Sequence, residues 1–196
     1  MAFNAYLVFK TGGDPKIRGE SSSDIAKGKG AVEITDYSFG VTMPVTASRS
    51  DGGGATVGRA NFDVFTCNKG IDTATPWLVQ YCCKGTSIPK IVLHLYRQGE
   101  GGSDQTGVVK YAMVVFQHCV ITKVGITGGG DELPKESLEF NYGLCEYSYK
   151  WTDHETGKYD GQTKPDGVNL APRFGWSTVE NKQKASEQDF DKFEAT

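Results

Sequence analysis

Apolar and polar residues alternate along much of this chain at the two-residue period of a β-strand, whose successive side chains point to opposite faces. Residues 3–10 set Phe3, Ala5, Leu7 and Phe9 against Asn4, Tyr6, Val8 and Lys10, and Thr11-Gly12-Gly13-Asp14-Pro15 ends that strand with turn chemistry. A polar connection spans 19–30. Residues 31–43 read as a long strand whose apolar parity flips, from Val32 and Ile34 to Tyr37, Phe39, Val41 and Met43. Such a flip marks a bulge, or a strand that passes from one packed surface to another. Residues 44–58, with Asp51-Gly52-Gly53-Gly54, show no apolar period and read as a long loop, of a length that is usually functional or mobile.

Further strands are predicted at 59–67 and 88–97, with a hairpin-type loop at 99–104. Between them lies the one helix signal. Thr75 stands as N-cap, Pro76 at the first helical position and Gly85 just past the end, while Trp77/Tyr81 and Leu78/Cys82 are four apart. Residues 108–124 are apolar on both faces. Residues 136–151 alternate cleanly through Leu138, Phe140, Tyr142 and Leu144, then switch parity to Cys145, Tyr147, Tyr149 and Trp151. A one-sided sheet needs no such switch; it suggests a strand serving both an internal core and something outside the domain.

Composition narrows the picture. At 196 residues the chain fits one domain with a sizeable core, and 25 glycines beside 22 aromatics (ten Phe, nine Tyr, three Trp) favour many turns between strands. The formal charge of −3 argues against a general grip on nucleic acid. No apolar run is long enough for a membrane span, and the N-terminus lacks a basic region, so neither membrane insertion nor a signal peptide is expected. Residues 153–196 carry nine acidic and six basic side chains against fifteen of each in 1–152, so the whole formal charge sits in the tail. The expected organisation is a β-domain over 1–152 and a polar extension over 153–196, partly docked through Pro172-Arg173-Phe174-Gly175-Trp176.

Chemistry is sparse. The five cysteines, at 67, 82, 83, 119 and 145, form no Cys-x-x-Cys pair and read as reduced, buried thiols. His94, His118 and His154 are far apart, and His118 and Cys119 point to opposite faces of a strand, so no metal site is expected. No nucleophile elbow, phosphate loop or His-Glu-x-x-His occurs, and Gly52, Gly54 and Gly58 have the wrong spacing for a dinucleotide fingerprint. The paired carboxylates, Asp131-Glu132 and Glu136 with Glu139, read as solvated surface acids rather than a glycosidase pair. The Tyr147, Tyr149, Trp151 row is either a sugar-stacking platform or a packed, subunit-facing stripe, and the second is favoured. No catalytic residue and no cofactor is expected, and the residues point to assembly rather than turnover.

Taken in order, the segments resemble the Hcp family, the tube proteins of bacterial type VI secretion systems. Ala5-Tyr6-Leu7-Val8-Phe9-Lys10 with Ile17-Arg18-Gly19-Glu20-Ser21 is similar to the family's opening strand and turn, and Val32-Glu33-Ile34 with Tyr37-Ser38-Phe39-Gly40 to its second strand. Gly58-Arg59, Phe62, Phe65, Lys69, Asp72, Thr75-Pro76 and Leu78 resemble the block leading into its helix. Gly129-Gly130, Pro134-x-Glu136 and Phe140-x-Tyr142 resemble its most recognisable signature, and Phe174-Gly175-Trp176 with Asn181-Lys182 its terminal element. The helix departs in Thr75 and Cys82-Cys83, and the stretch 155–173 is longer than in simple members.

The resemblance implies a mainly β fold, a compact two-sheet β-barrel with one short flanking helix. Six copies would form a ring, and rings would stack into a tube expelled by a contractile sheath. Partners implied are a VgrG-type spike, sheath and baseplate proteins, and effectors in the channel, with cytoplasmic assembly followed by secretion. Ring or stacking contacts are expected from Val41, Met43, Val45, Arg49 and Arg59 in and beside the long loop, and from Tyr147, Tyr149 and Trp151. Rival readings are the tail-tube subunit of another phage-derived contractile particle, a carbohydrate-binding β-sandwich, and a tube protein with a toxic extension.

Overall fold

The structure is a computed structural model that describes residues 3–14, 16–46, 56–98, 108–130, 132–151, 172–184 and 190. In chain order its strands are β1 (Phe3–Lys10), β2 (Val32–Ile34), β3 (Asp36–Ser38), β4 (Val41–Thr42), β5 (Val45–Thr46), β6 (Thr56–Val57), β7 (Asn61–Phe62) and β8 (Phe65–Gly70). Helix α1 (Thr75–Lys84) follows, then β9 (Ser87–Gln98), β10 (Val108–Gly129), β11 (Glu132–Asn141), β12 (Leu144–Tyr149), β13 (Arg173–Ser177) and β14 (Lys182–Gln183).

Antiparallel pairing runs β2–β1–β9–β10–β11–β8–β3. Only Thr35 separates β2 from β3, so the path returns on itself and wraps a barrel. This explains the parity flip at 34–37. Val32 and Ile34 pack inward while paired to β1; Tyr37 and Phe39 pack on the same core after the chain has turned to pair with β8. The Thr35 N–H anchors the corner on the Asn68 carbonyl at 2.8 Å.

The interior is an aromatic stack on a bed of aliphatics. Phe65 lies 4.6 Å from Phe140 ring to ring, and Phe116 meets Phe140 edge-on at 5.3 Å. Each fully buried Phe of this kind contributes about 2–3 kcal/mol of apolar burial. The helix closes one side with Leu78 and Tyr81 turned inward. Gly85 takes φ 60° at its C-terminus, as the sequence predicts. The N-cap differs: it is Ala74, and Thr75 is already helical because its hydroxyl is spent on Glu136.

The predicted strand 136–151 is two strands with one interruption. β11 and β12 both run antiparallel to the 22-residue β10, pairing Val120 with Asn141 and Gln117 with Leu144. At this level three neighbouring strands change the parity that faces the core: Ile88 to Ile91 on β9, Cys119 to Phe116 on β10, and Tyr142 to Cys145 from β11 to β12. His118, at φ 55°, supplies the irregular residue on β10. Gly143 faces it, and a Cβ there would sit 3.2 Å from the His118 Cβ. The parity switch is therefore a crease across the sheet that bends it round one core.

Apolarity on both faces also has an internal cause. Tyr6, Val8, Val92, Tyr96, Met113 and Val115 face away from the main core and build a second one with Ala26, Ala31 and Phe190. The polar connection 19–30 covers this face, and it fits closely because Gly19 has no Cβ; one would meet the Ala31 carbonyl oxygen at 2.3 Å. Beyond the barrel, β13 extends the sheet from β12, and β14 extends it from β13.

Candidate functional site

The segment read as a long loop is a hairpin arm. β4 pairs with β7 and β5 with β6, and the Gly58 N–H to Pro44 carbonyl bond, at 2.9 Å, lies between the two ladders. Two-residue ladders are too short to leave a readable period in the sequence. Along its first strand Val41, Met43 and Val45 are 56%, 47% and 58% exposed, a row of apolar side chains the subunit's own cores do not use. Phe62, the cross-strand partner of Val41, packs against the main core and the Tyr142 ring. Arg49 lies outside the described residues.

The arm is anchored at its base. Arg59 donates to the carbonyls of Thr178 and Val179, the latter at 2.9 Å, which ties the arm to the β13–β14 turn. The Tyr142 hydroxyl donates to the Asp63 carbonyl at 3.0 Å, and Thr178 Oγ1 donates to the Tyr142 carbonyl at 3.0 Å. Burial pushes the Tyr142 phenol well above its ordinary range, so it stays a donor. Between these groups lies an open hollow of about 390 Å³, lined by Arg59, Phe62, Asp63, Asn141, Tyr142 and Thr178 among others. Arg59 thus acts within the subunit, whatever further contact it makes.

Tyr147, Tyr149 and Trp151 are half-buried. Tyr147 and Tyr149 lean on the main core, and Tyr149 meets Tyr111 edge-on at 6.5 Å. Burial pushes the Tyr147 phenol up. A row spent partly inward offers little of the flat face that sugar stacking needs.

Sequence reasoning missed further apolar positions at the surface, and three of them are the most exposed outside the arm among the described residues. Ile126 and Leu133, 54% and 87% exposed, sit at the far end of the β10–β11 hairpin, and Val179, 72% exposed, sits in the turn beside Arg59. The signal for the first two was present: apolar residues in a glycine-rich stretch that no core position requires. The structure runs β10 to Gly129, past the expected end at Val124.

The opposite error concerns Glu136, read as a surface acid. It is fully buried. Its Oε2 accepts from Lys69 Nζ at 2.9 Å and from Thr75 Oγ1. Lys69 Nζ also contacts Asp72 Oδ1 at 2.9 Å and the Gly70 carbonyl at 2.8 Å. Glu139, of opposite parity, instead pairs at the surface with Lys123 at 2.7 Å. The buried cluster joins β8, β11 and the start of α1, and a charge sealed from water this way is held only by its partners.

Cys67, Cys119 and Cys145 are buried, and burial pushes each thiol up to about 12, far from thiolate chemistry. Cys82 is half-buried and Cys83 exposed, so the expectation of buried thiols fails at 83. Among the described residues no group of three or more His, Cys, Asp or Glu side chains is placed to hold a metal ion. Among them, too, no helix is long and apolar enough to cross a membrane.

A family model described as "Type VI secretion system effector, Hcp" matches residues 6–149. Among solved structures, one described as a type six secretion system protein is 25% identical, with a TM-score of 0.74 over 93% of this chain and 100% of that chain. Hcp1 from Salmonella typhimurium is 19% identical, with a TM-score of 0.65 over 94% and 100%. Hcp1 from E. coli EAEC 042 is 20% identical, with a TM-score of 0.64 over 88% and 97%. No curated protein sequence matches the chain.

Proposed function

The chain belongs to the Hcp family of type VI secretion proteins, and from that premise we propose how its surfaces serve a secretion tube. It is a tube subunit of a type VI secretion system. Six copies close a ring, and rings stack through the hairpin arm. The observation that carries this reading is the exposed Val41, Met43, Val45 row on the arm, side chains that neither core uses. Apolar surface of that kind is covered in a working assembly. A ring requires heterologous contact, one patch of each copy against a different patch of the next, and the arm and the barrel wall are two such patches.

The barrel domain, 1–152, carries these contacts, and the extension, 153–196, docks on it through β13 and Phe190. The tube works by shape, without bond-making. It caps on a VgrG-type spike, is driven by a contractile sheath on a baseplate, carries effectors in its channel, and leaves the cytoplasm by this machine. Deleting residues 48–57 tests the arm. The expected product is intact rings that no longer stack, seen as isolated annuli in negative-stain images; loss of the ring itself would contradict the assignment.

A further inference from the structure

One ammonium faces two carboxylates inside the subunit, away from every surface the ring reading uses. Lys69 Nζ lies 2.9 Å from Asp72 Oδ1 and 2.9 Å from Glu136 Oε2. The side chains of Lys69 and Glu136 are fully buried, and that of Asp72 is 14% exposed. Asp72 Oδ1 also accepts from the Ala74 N–H at 3.0 Å, at the N-terminus of α1. Glu136 Oε2 accepts a second bond from Thr75 Oγ1, while its buried Oε1 has no hydrogen-bond partner among the described residues.

These are the parts of an acyl-transfer site. An amine is held against a carboxyl group, and a backbone N–H is aimed at the oxygen on which charge would develop. A carboxylate out of water touches the amine and keeps one oxygen free to carry a proton. Reactants fixed in this way meet at effective concentrations on the order of 10⁵ M or more. In a dry site the charges of Lys69 and Asp72 are costly, and joining the two groups removes both. We propose that Lys69 and Asp72 form an intramolecular isopeptide bond, with Glu136 as the proton carrier. Lys69 gives one proton to Glu136, and its nitrogen lone pair forms the bond to Asp72 Cγ. Glu136 delivers that proton to Asp72 Oδ2, and then a second one that the nitrogen sheds. The Cγ–Oδ2 bond breaks with its electron pair on oxygen, and one water leaves through the exposed edge of Asp72. Oδ1 remains as the amide carbonyl on the Ala74 N–H, and Glu136 ends ionised as it began. Nothing is oxidised or reduced. The bond fixes the end of β8 to the start of α1. Only Gly70 and Ile71 lie between the joined residues, so its main effect is to erase buried charge rather than to close a loop.

The test digests the purified, urea-denatured full-length chain with trypsin and reads the peptides by mass. Trypsin does not cleave after an acylated lysine. The expected product is therefore one peptide spanning 60–84, uncut at Lys69 and lighter than its sequence by one water. Fragment spectra should place the lost water between Lys69 and Asp72. Asp72→Ala should restore cleavage at Lys69, and Glu136→Gln should lower the linked fraction roughly tenfold or more. The wild-type digest decides the bond whether or not the Glu136 variant folds. A wild-type chain cut cleanly at Lys69 would overturn the proposal. So would a one-water loss with Lys69 still cleavable, the mark of a succinimide at Asp72. A link from Lys69 to Glu136 would overturn the choice of Asp72, and a folded Glu136→Gln chain that links fully would overturn the role of Glu136. None of these outcomes touches the ring reading.

Discussion

At the scale of single residues, the most consequential groups are polar ones inside the subunit. Lys69 and Glu136 are both fully buried. Removing one partner strands the other's charge in a dry site. Lys69→Met should therefore cost about 3–5 kcal/mol in urea-unfolding free energy, while the double change Lys69→Met, Glu136→Leu should recover much of it. A single-variant loss under about 1 kcal/mol would show the pair to be solvated. His94 is the second case. Burial first, then the Lys110, Lys29 and Lys10 charges, lowers its pKa from 6.5 to about 3. Below pH 6.5 the unfolded chain takes up a proton that the folded site refuses, so stability is flat above that point and falls toward pH 3, by about 1.4 kcal/mol per pH unit. His94→Leu should flatten this slope between about pH 6.5 and 5, above the range of ordinary carboxylates. Parallel slopes in the two proteins would refute the assignment. Neither group was legible as an isolated letter. Lys69 and Glu136 stand in motifs of the family resemblance, but only the pairing of β8 with β11 shows that the two motifs are halves of one ion pair.

At the scale of elements, strand identity was plain where six or more residues alternate, as in β1 and β9, whereas the strand expected at 59–67 is β7 and the first half of β8. Helix α1 was plain from Pro76 and Gly85. What resisted was anything shorter or bent. The arm's two-residue ladders left no period, so 44–58 read as a loop. The crease preserved alternation on each side and broke it between, which in one dimension looks like a strand facing two partners. The crease can be tested at Gly143, where a Cβ would stand 3.2 Å from the His118 Cβ and 3.4 Å from Val179. Gly143→Val should cost about 1–3 kcal/mol through overpacking, read from denaturant midpoints. A neutral outcome would mean that the bend does not depend on close approach here.

At the scale of the whole molecule, the surplus of apolar residues has two destinations. Much of it is internal, in a second core that composition and periodicity did not separate from an outward surface. The remainder is exposed: Val41, Met43 and Val45 on the arm, Ile126 and Leu133 at the β10–β11 hairpin, Val179 beside Arg59, Phe174 on β13, Trp77 and Val79 on α1, and Ile71 just after β8. The candidate contact residues of the sequence divide accordingly, with the arm positions exposed and Tyr147 and Tyr149 half spent on the barrel. Order and spacing of the motifs carried the family and the barrel. Which faces remain for neighbours depended on how 19–30 and Phe190 fold back, and no local pattern encodes that. The most direct measurement is the native mass of the purified full-length chain across a concentration series, with negative-stain images of the same samples. The account predicts a species of six subunits that appears as an annulus with an open centre; a strictly monomeric mass at the highest concentration, with no circular particles, would contradict it.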